Sequence, residues 1–214
     1  MKITERTKGI RKTWKGGYLF AGDLISKDEI IITLDGSLKV EGSIMAEKGI
    51  RSTYALGASG DIFSGYSIKA NSALVAGGSI DARGAIIADG RMEAGAGIEA
   101  GGNIVCGGRM EAGAGIEAGE GIEAGGTITA KEDIRAGEGI RAGLSIRAGK
   151  TISARFGIFA GTSTGYDWPE DEVSCSNLQG VIRYGTLKTT APSAEDWQSL
   201  QSRTHALVDR AFGL

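Results

Sequence analysis

Five glutamates, Glu93, Glu99, Glu111, Glu117 and Glu123, stand at multiples of six residues from one another, and Arg135, Arg141 and Arg147 continue the same interval. Acidic pairs such as Glu99 and Glu117 are the residue types that could run acid–base attack on a polysaccharide. Nothing else in the chain supports that chemistry, because aromatic residues to hold a sugar make up only 6% of the sequence. The single histidine, His205, lies near the C-terminus and reads as a surface or packing residue. Cys106 and Cys175 form no metal or redox spacing and read as ordinary thiols. The many GxG and AGG strings resemble phosphate loops only superficially. None opens a helix after a strand, and none is followed by Lys-Ser/Thr. No catalytic, cofactor or metal site is expected.

What must position these charges is a stricter pattern. From Leu38 to Ile158 an aliphatic residue or Met recurs at every sixth place without a miss, making twenty-one hexads. The residue two further on is Ala in nearly every hexad, and otherwise Val40, Ser52, Ser64 or Cys106. In an extended chain those two positions share one face and the residue between them takes the other. Each hexad therefore reads as a three-residue strand and a corner, and the abundant glycine is expected at corners where φ resists a Cβ. A helix is excluded, since its 3.6-residue period scatters a six-residue repeat around its surface.

The number of hexads per turn follows from the exceptions. Leu38, Leu56, Leu74, Met92 and Met110 are the non-Ile members of the series, and all five fall in one column when the chain is sorted by eighteen. RMEAGAGIEAG at Arg91 recurs at Arg109, also eighteen residues on. The predicted fold is all-β: a three-sided parallel β-helix, or solenoid, of about seven 18-residue coils. A left-handed winding is favoured because its three sides are equal, and a C-terminal α-helix follows.

These hexads resemble the hexapeptide-repeat β-helix proteins, and phrases such as GGSIDARGAIIADG and AGGNI resemble bactofilin-like cytoskeletal polymers. The resemblance covers residues 32 to about 161 and implies architecture. Hexapeptide-repeat acyltransferases use a solenoid histidine as base and the related carbonic anhydrases use three as ligands; this chain has only His205. Here the small residue follows the aliphatic by two, whereas in the transferases it precedes it.

The chain divides into an N-terminal basic segment and cap (1–36), the hexad solenoid (37–161), an irregular C-terminal cap (162–192) and an amphipathic helix (193–214). The first seventeen residues carry Lys2, Arg6, Lys8, Arg11, Lys12 and Lys15 against Glu5, with Trp14 among them. Direct nucleic-acid contact through this arm is an option, though a solvated leader is favoured. In the terminal helix Trp197, Leu200, Leu207, Val208 and Ala211 share one side, which could dock on the solenoid or join a homo-oligomer. No apolar run is long enough for a membrane span and no signal core follows the N-terminus, so a cytoplasmic protein is expected.

Function then rests on the outward residue of each hexad. Glu93, Glu99, Glu111, Glu117 and Glu123 make an acidic belt and Arg135, Arg141 and Arg147 a basic ring, with salt bridges expected from Glu117 to Arg135 and Glu123 to Arg141. Met45 beside Phe63, and Ile87 beside Val105, make apolar patches that call for a cover. The expectation is a non-enzymatic solenoid that binds a protein partner through charged and apolar stripes, as an inhibitor of a nucleic-acid-handling complex. The rival expectation is a bactofilin-like structural polymer or assembly scaffold, for which the terminal additions look like obstructive caps.

Overall fold

Three residues of extended chain can bury two side chains on one side and offer one on the other, and the hexads do this throughout. In the strand Ile116–Ala118, Ile116 and Ala118 are buried while Glu117 is exposed. The structure, a computed structural model, describes residues 1–162 and 172–188. Its strands assemble into three parallel sheets of ten, nine and eleven members, each sheet taking every third strand of the solenoid. Register partners through the hexads lie eighteen residues apart, as in Leu74 with Met92 and Ile80 with Ile98. Ile therefore stacks on Ile and Ala on Ala, and one continuous apolar core runs the length of the solenoid. Each buried Ile is worth roughly 1.5–3 kcal/mol relative to exposure.

The described solenoid makes about nine turns rather than seven. An extra coil precedes the hexads, formed by Tyr18–Phe20, Leu24–Ser26 and Ile30–Ile32. Its partners lie twenty residues on, Tyr18 with Leu38 and Leu24 with Ile44, because the link from Ile32 to Leu38 is longer than a hexad corner. The aliphatic in register is Ile30, whereas Ile32 sits in the small-residue place, opposite Ser52. Another coil follows the hexads, formed by Glu172–Ser174, Asn177–Gln179 and Ile182–Tyr184, so part of the segment expected to be irregular is regular. Longer connections had hidden its period, with Ile146 pairing with Val173 and Ile158 with Ile182. The expected helix 193–214 lies outside the described residues, as does His205.

The corner glycines serve a different purpose from the expected one. Among the described residues positive φ occurs only at Gly9, Gly16, Gly22, Gly161, Gly180 and Gly185, and of these only Gly161, after the last hexad's Ala160, stands at a hexad corner. At Gly95 and Gly113 the constraint is close approach, because a Cβ there would fall inside the carbonyl oxygen of the corner one coil below, Gly77 and Gly95 respectively. Side chains just before the aliphatics add a second ladder. Asp23 Oδ1 accepts from the Ser43 N–H at 2.7 Å, Ser43 Oγ from Asp61 N–H at 3.0 Å and Asp61 Oδ1 from Ser79 N–H at 2.8 Å. Further along, Asn103 Oδ1 accepts from Gly121 N–H and Asp133 Oδ1 from Thr151 N–H. Each satisfies a corner amide that the strands leave unpaired.

At the N-terminal end Lys2–Ile3 extends one sheet and Ile10–Lys12 runs antiparallel on Tyr18–Phe20, while Leu24–Ser26 ends the third sheet. The Tyr18 hydroxyl lies 2.5 Å from Asp35 Oδ1 and 2.8 Å from Glu5 Oε1. The bond to Asp35 is the main reason the phenol is pushed up to about 12, and it holds Asp35 below the usual carboxylate range. No helix among the described residues is long and apolar enough to cross a membrane.

The inward face can be tested by substitution. Ile116→Asp is expected to unfold the solenoid, since an unpaired carboxylate would be held between stacked coils, and Ala118→Leu to destabilise it by about 1–3 kcal/mol through overpacking. Cys106→Ala, which restores the residue of neighbouring coils, should leave the thermal melt nearly unchanged.

Candidate protein-binding faces

Because stacking aligns residues eighteen apart, each sheet presents its outward side chains as a ladder at the strand spacing of about 4.8 Å. The nine-stranded sheet carries the most distinctive one. Ile25, Met45 and Phe63 lie in consecutive register, followed by Asp81, Glu99 and Glu117, and then Arg135. Ile25 is 60% exposed and Met45 37% exposed, so the apolar half is open. Tyr66, also exposed, stands at the corner beyond the strand of Phe63. Glu99 and Glu117 are solvent-facing, as expected, and share a shallow recess with Asp133 and Arg135. The expected Glu117–Arg135 bridge forms at 3.0 Å, and Arg135 also reaches Asp133 at 2.7 Å.

On the ten-stranded sheet Arg51, Lys69, Ile87, Val105, Glu123, Arg141 and Phe159 follow one another. Ile87 and Val105 are neighbours, as expected, and half-buried. Glu123 and Arg141 are register partners, and the Arg141 guanidinium lies 5.5 Å from the centre of the Phe159 ring. The pair at Glu117 thus forms a bridge, whereas at Glu123 only the register is established.

The eleven-stranded sheet, which carries the Leu and Met column, corrects the picture of one solvated belt. Its outward residues run Lys39, Gly57, Val75, Glu93, Glu111, Thr129, Arg147. Glu93 and Val75 are 0% exposed, and Lys39 and Thr129 are buried too. The Glu93 carboxylate is held by Arg91 Nε at 2.9 Å and Arg109 Nη2 at 2.8 Å, and Arg109 lies 3.5 Å from Glu111. Outward in register therefore does not mean solvated. Arg147 lies 4.0 Å from Glu172 on the next coil. The five glutamates divide among three faces, and only Glu99, Glu117 and Glu123 are openly exposed.

Two residues of consequence escaped the sequence reading. Arg91 and Arg109 were visible as the first residue of the repeated RMEAGAG string, but nothing in a six-residue pattern says that a corner arginine folds back over a strand. Asp81 completes the acidic ladder and was legible in its column. At the N-terminal end, Lys12 is committed to Asp35 at 3.3 Å, while Trp14 is 86% exposed with Lys15 over its ring. Among the described residues no cluster of three or more His, Cys, Asp or Glu has the spacing to hold a metal ion.

Compared with protein-family models, curated proteins and solved structures, the chain matches none. The stacked parallel coils that the resemblance implied are present, and no match extends that likeness to hexapeptide-repeat or bactofilin membership.

Reversal of charge separates the buried carboxylate from the exposed ones. Glu93→Lys leaves Arg91 and Arg109 facing a third cation and should cost about 3–5 kcal/mol, the scale for breaking a buried pair. Glu99→Lys and Glu123→Lys should each change stability by less than about 0.5 kcal/mol. Urea denaturation of the three variants checks the difference.

Proposed function

We propose that the chain is a non-enzymatic, cytoplasmic protein-binding solenoid whose working surface is the outward ladder of the nine-stranded sheet. The observation that carries this reading is the juxtaposition, in strict register, of open Ile25 and Met45 and half-buried Phe63 with Asp81, Glu99 and Glu117. A rigid apolar strip with an adjoining line of negative charge fits a protein that pairs an apolar segment with clustered cations. Burial of the apolar half supplies affinity, and the acidic half steers approach and fixes register. Proteins that handle nucleic acid carry such cations for phosphate, so occupation of them by this ladder would inhibit their work. The basic N-terminal segment plays no part in this reading. The winding is taken as left-handed on the equal hexads of its three sides.

A second reading, a structural polymer joined coil to coil, draws support from the parallel strand edges at Asn177–Gln179 and Ile182–Tyr184. Against it stands the antiparallel strand Ile10–Lys12, which interrupts parallel stacking at the opposite end. Light scattering of the purified chain separates the two, since filament growth belongs only to the polymer.

The binding reading is tested by affinity capture with the wild type, with Met45→Ser/Phe63→Ser, with Glu99→Lys/Glu117→Lys, and with Lys69→Glu on another face as a control. The expected result is one stoichiometric partner, retained by the control and weakened at least about tenfold by either ladder variant, with the charge variant acting mainly on association at low salt. A partner indifferent to both ladder variants, or no stoichiometric partner, would overturn the assignment.

A further inference from the structure

One end of the solenoid carries charge and an aromatic ring that the fold does not use. Residues 1–12 cross the N-terminal end, from Lys2–Ile3 on the ten-stranded sheet to Ile10–Lys12 on the eleven-stranded one. The chain then reverses at a tight turn, where Thr13 N–H donates to the Gly17 carbonyl at 2.8 Å and Gly16 N–H to the Thr13 carbonyl at 3.1 Å. Gly16 takes a positive φ of 87° there, which a side chain would resist. The turn also rests on the link to the first hexad, since a Cβ on Gly36 would fall 2.5 Å from the Gly16 carbonyl oxygen. It is therefore fixed without help from Trp14, yet it holds that indole 86% exposed.

The charges nearby are as unbalanced as the ring is uncovered. Each of the five acids among residues 1–36 is engaged. Glu5 and Asp35 accept from the Tyr18 hydroxyl, Asp23 from Ser43 N–H, and Asp28 and Glu29 pair with Lys48 and Arg51 of the following coil. By contrast Lys2, Arg6, Lys8, Arg11 and Lys15 are exposed and form no ion pair among the described residues. Lys12 alone of this segment is neutralised, by Asp35. The Lys15 ammonium lies 4.8 Å from the centre of the Trp14 ring, so a cation and a stacking surface are held together at the tip.

We propose that this hairpin and the link before it bind single-stranded nucleic acid, with Trp14 stacking on an unpaired base and the free cations holding the phosphodiester backbone. A base reaches the indole only when it is not stacked in a duplex, so single strands are favoured. The first seventeen residues hold no Asn or Gln, and phosphate contacts carry no sequence information, so little base preference is expected. An anionic membrane fits less well. Insertion at an interface needs a broad apolar face, whereas Ile10 and Phe20 of the hairpin pack against the core and leave Trp14 alone at the tip. The site shares no residue with the ladder of the nine-stranded sheet, so it stands or falls separately from the protein-binding reading.

The test is fluorescence anisotropy of a short labelled oligo(dT) titrated with the full chain over a range of salt. With three or four phosphates contacted, the logarithm of the affinity should fall against that of salt with a slope of about −2 to −3. Trp14→Ala should weaken binding at least about fivefold with the slope unchanged, and Trp14→Phe should restore most of the loss. Lys8→Gln with Arg11→Gln should weaken binding and flatten the slope by about 1.4. Lys69→Glu, which lowers the net charge on another face, should leave affinity within about twofold. These are all exposed positions, and unchanged thermal melts confirm that the variants are folded. Absence of binding to oligo(dT), equal affinity for a duplex of the same length, or indifference to Trp14→Ala would overturn the proposal. Capture by phosphatidylserine-containing vesicles without binding to oligo(dT) would also overturn it, by assigning the hairpin to a membrane surface.

Discussion

Every level of this molecule depends on one constraint: each coil stacks on the last at strand spacing, and from one hexad coil to the next every residue lies over its counterpart eighteen positions earlier. That spacing leaves no room for variation inside. The aliphatic or Met of each hexad meets another aliphatic or Met in the hexads above and below, the small residue mostly meets another small residue, and the corner at Gly95 or Gly113 approaches the carbonyl beneath so closely that a side chain would collide. Hydrogen bonds between coils, and the Asp23–Ser43–Asp61–Ser79 ladder at one corner, follow from the same vertical alignment. Helical or globular packing could offset a local mismatch elsewhere; here a mismatch is repeated against two neighbours.

The constraint also dictates what the surface can be. Outward residues cannot be arranged at will, because stacking turns each column into a ladder in which like charges sit side by side. Asp81, Glu99 and Glu117 form such a line, relieved at one end where Arg135 bridges Glu117 and Asp133. On the eleven-stranded sheet the same geometry is resolved differently, with Glu93 gripped by arginines from its own coil and the next. One acidic ladder is therefore exposed while the other is structural, although the sequence writes both with the same letters.

The core was legible because its signal is periodic and local: inward and outward positions of the twenty-one hexads follow from counting. The flanking coils were less legible, since the register survives there through longer links that put Ile30, eight residues before Leu38, in the aliphatic place. Corner glycines were recognised, but for conformational freedom rather than close approach, which depends on the coil below and has no sequence signature of its own. Among the candidate site residues, Met45 beside Phe63, Ile87 beside Val105, and Glu117 beside Arg135 stand where the columns placed them. Burial of Glu93 and Val75 was invisible, because alternation marks a position as outward without saying whether it is solvated.

Paired nitroxide labels test the stacking itself. Labels at Glu99→Cys and Glu117→Cys, eighteen residues apart, sit on adjacent strands about 5 Å apart, so strong dipolar broadening of the spectrum is expected. Labels at Glu99→Cys and Glu111→Cys, closer in sequence but on different faces, should broaden far less. Absence of broadening at Glu99 and Glu117, or equal broadening in both pairs, would contradict a three-sided coil of eighteen residues.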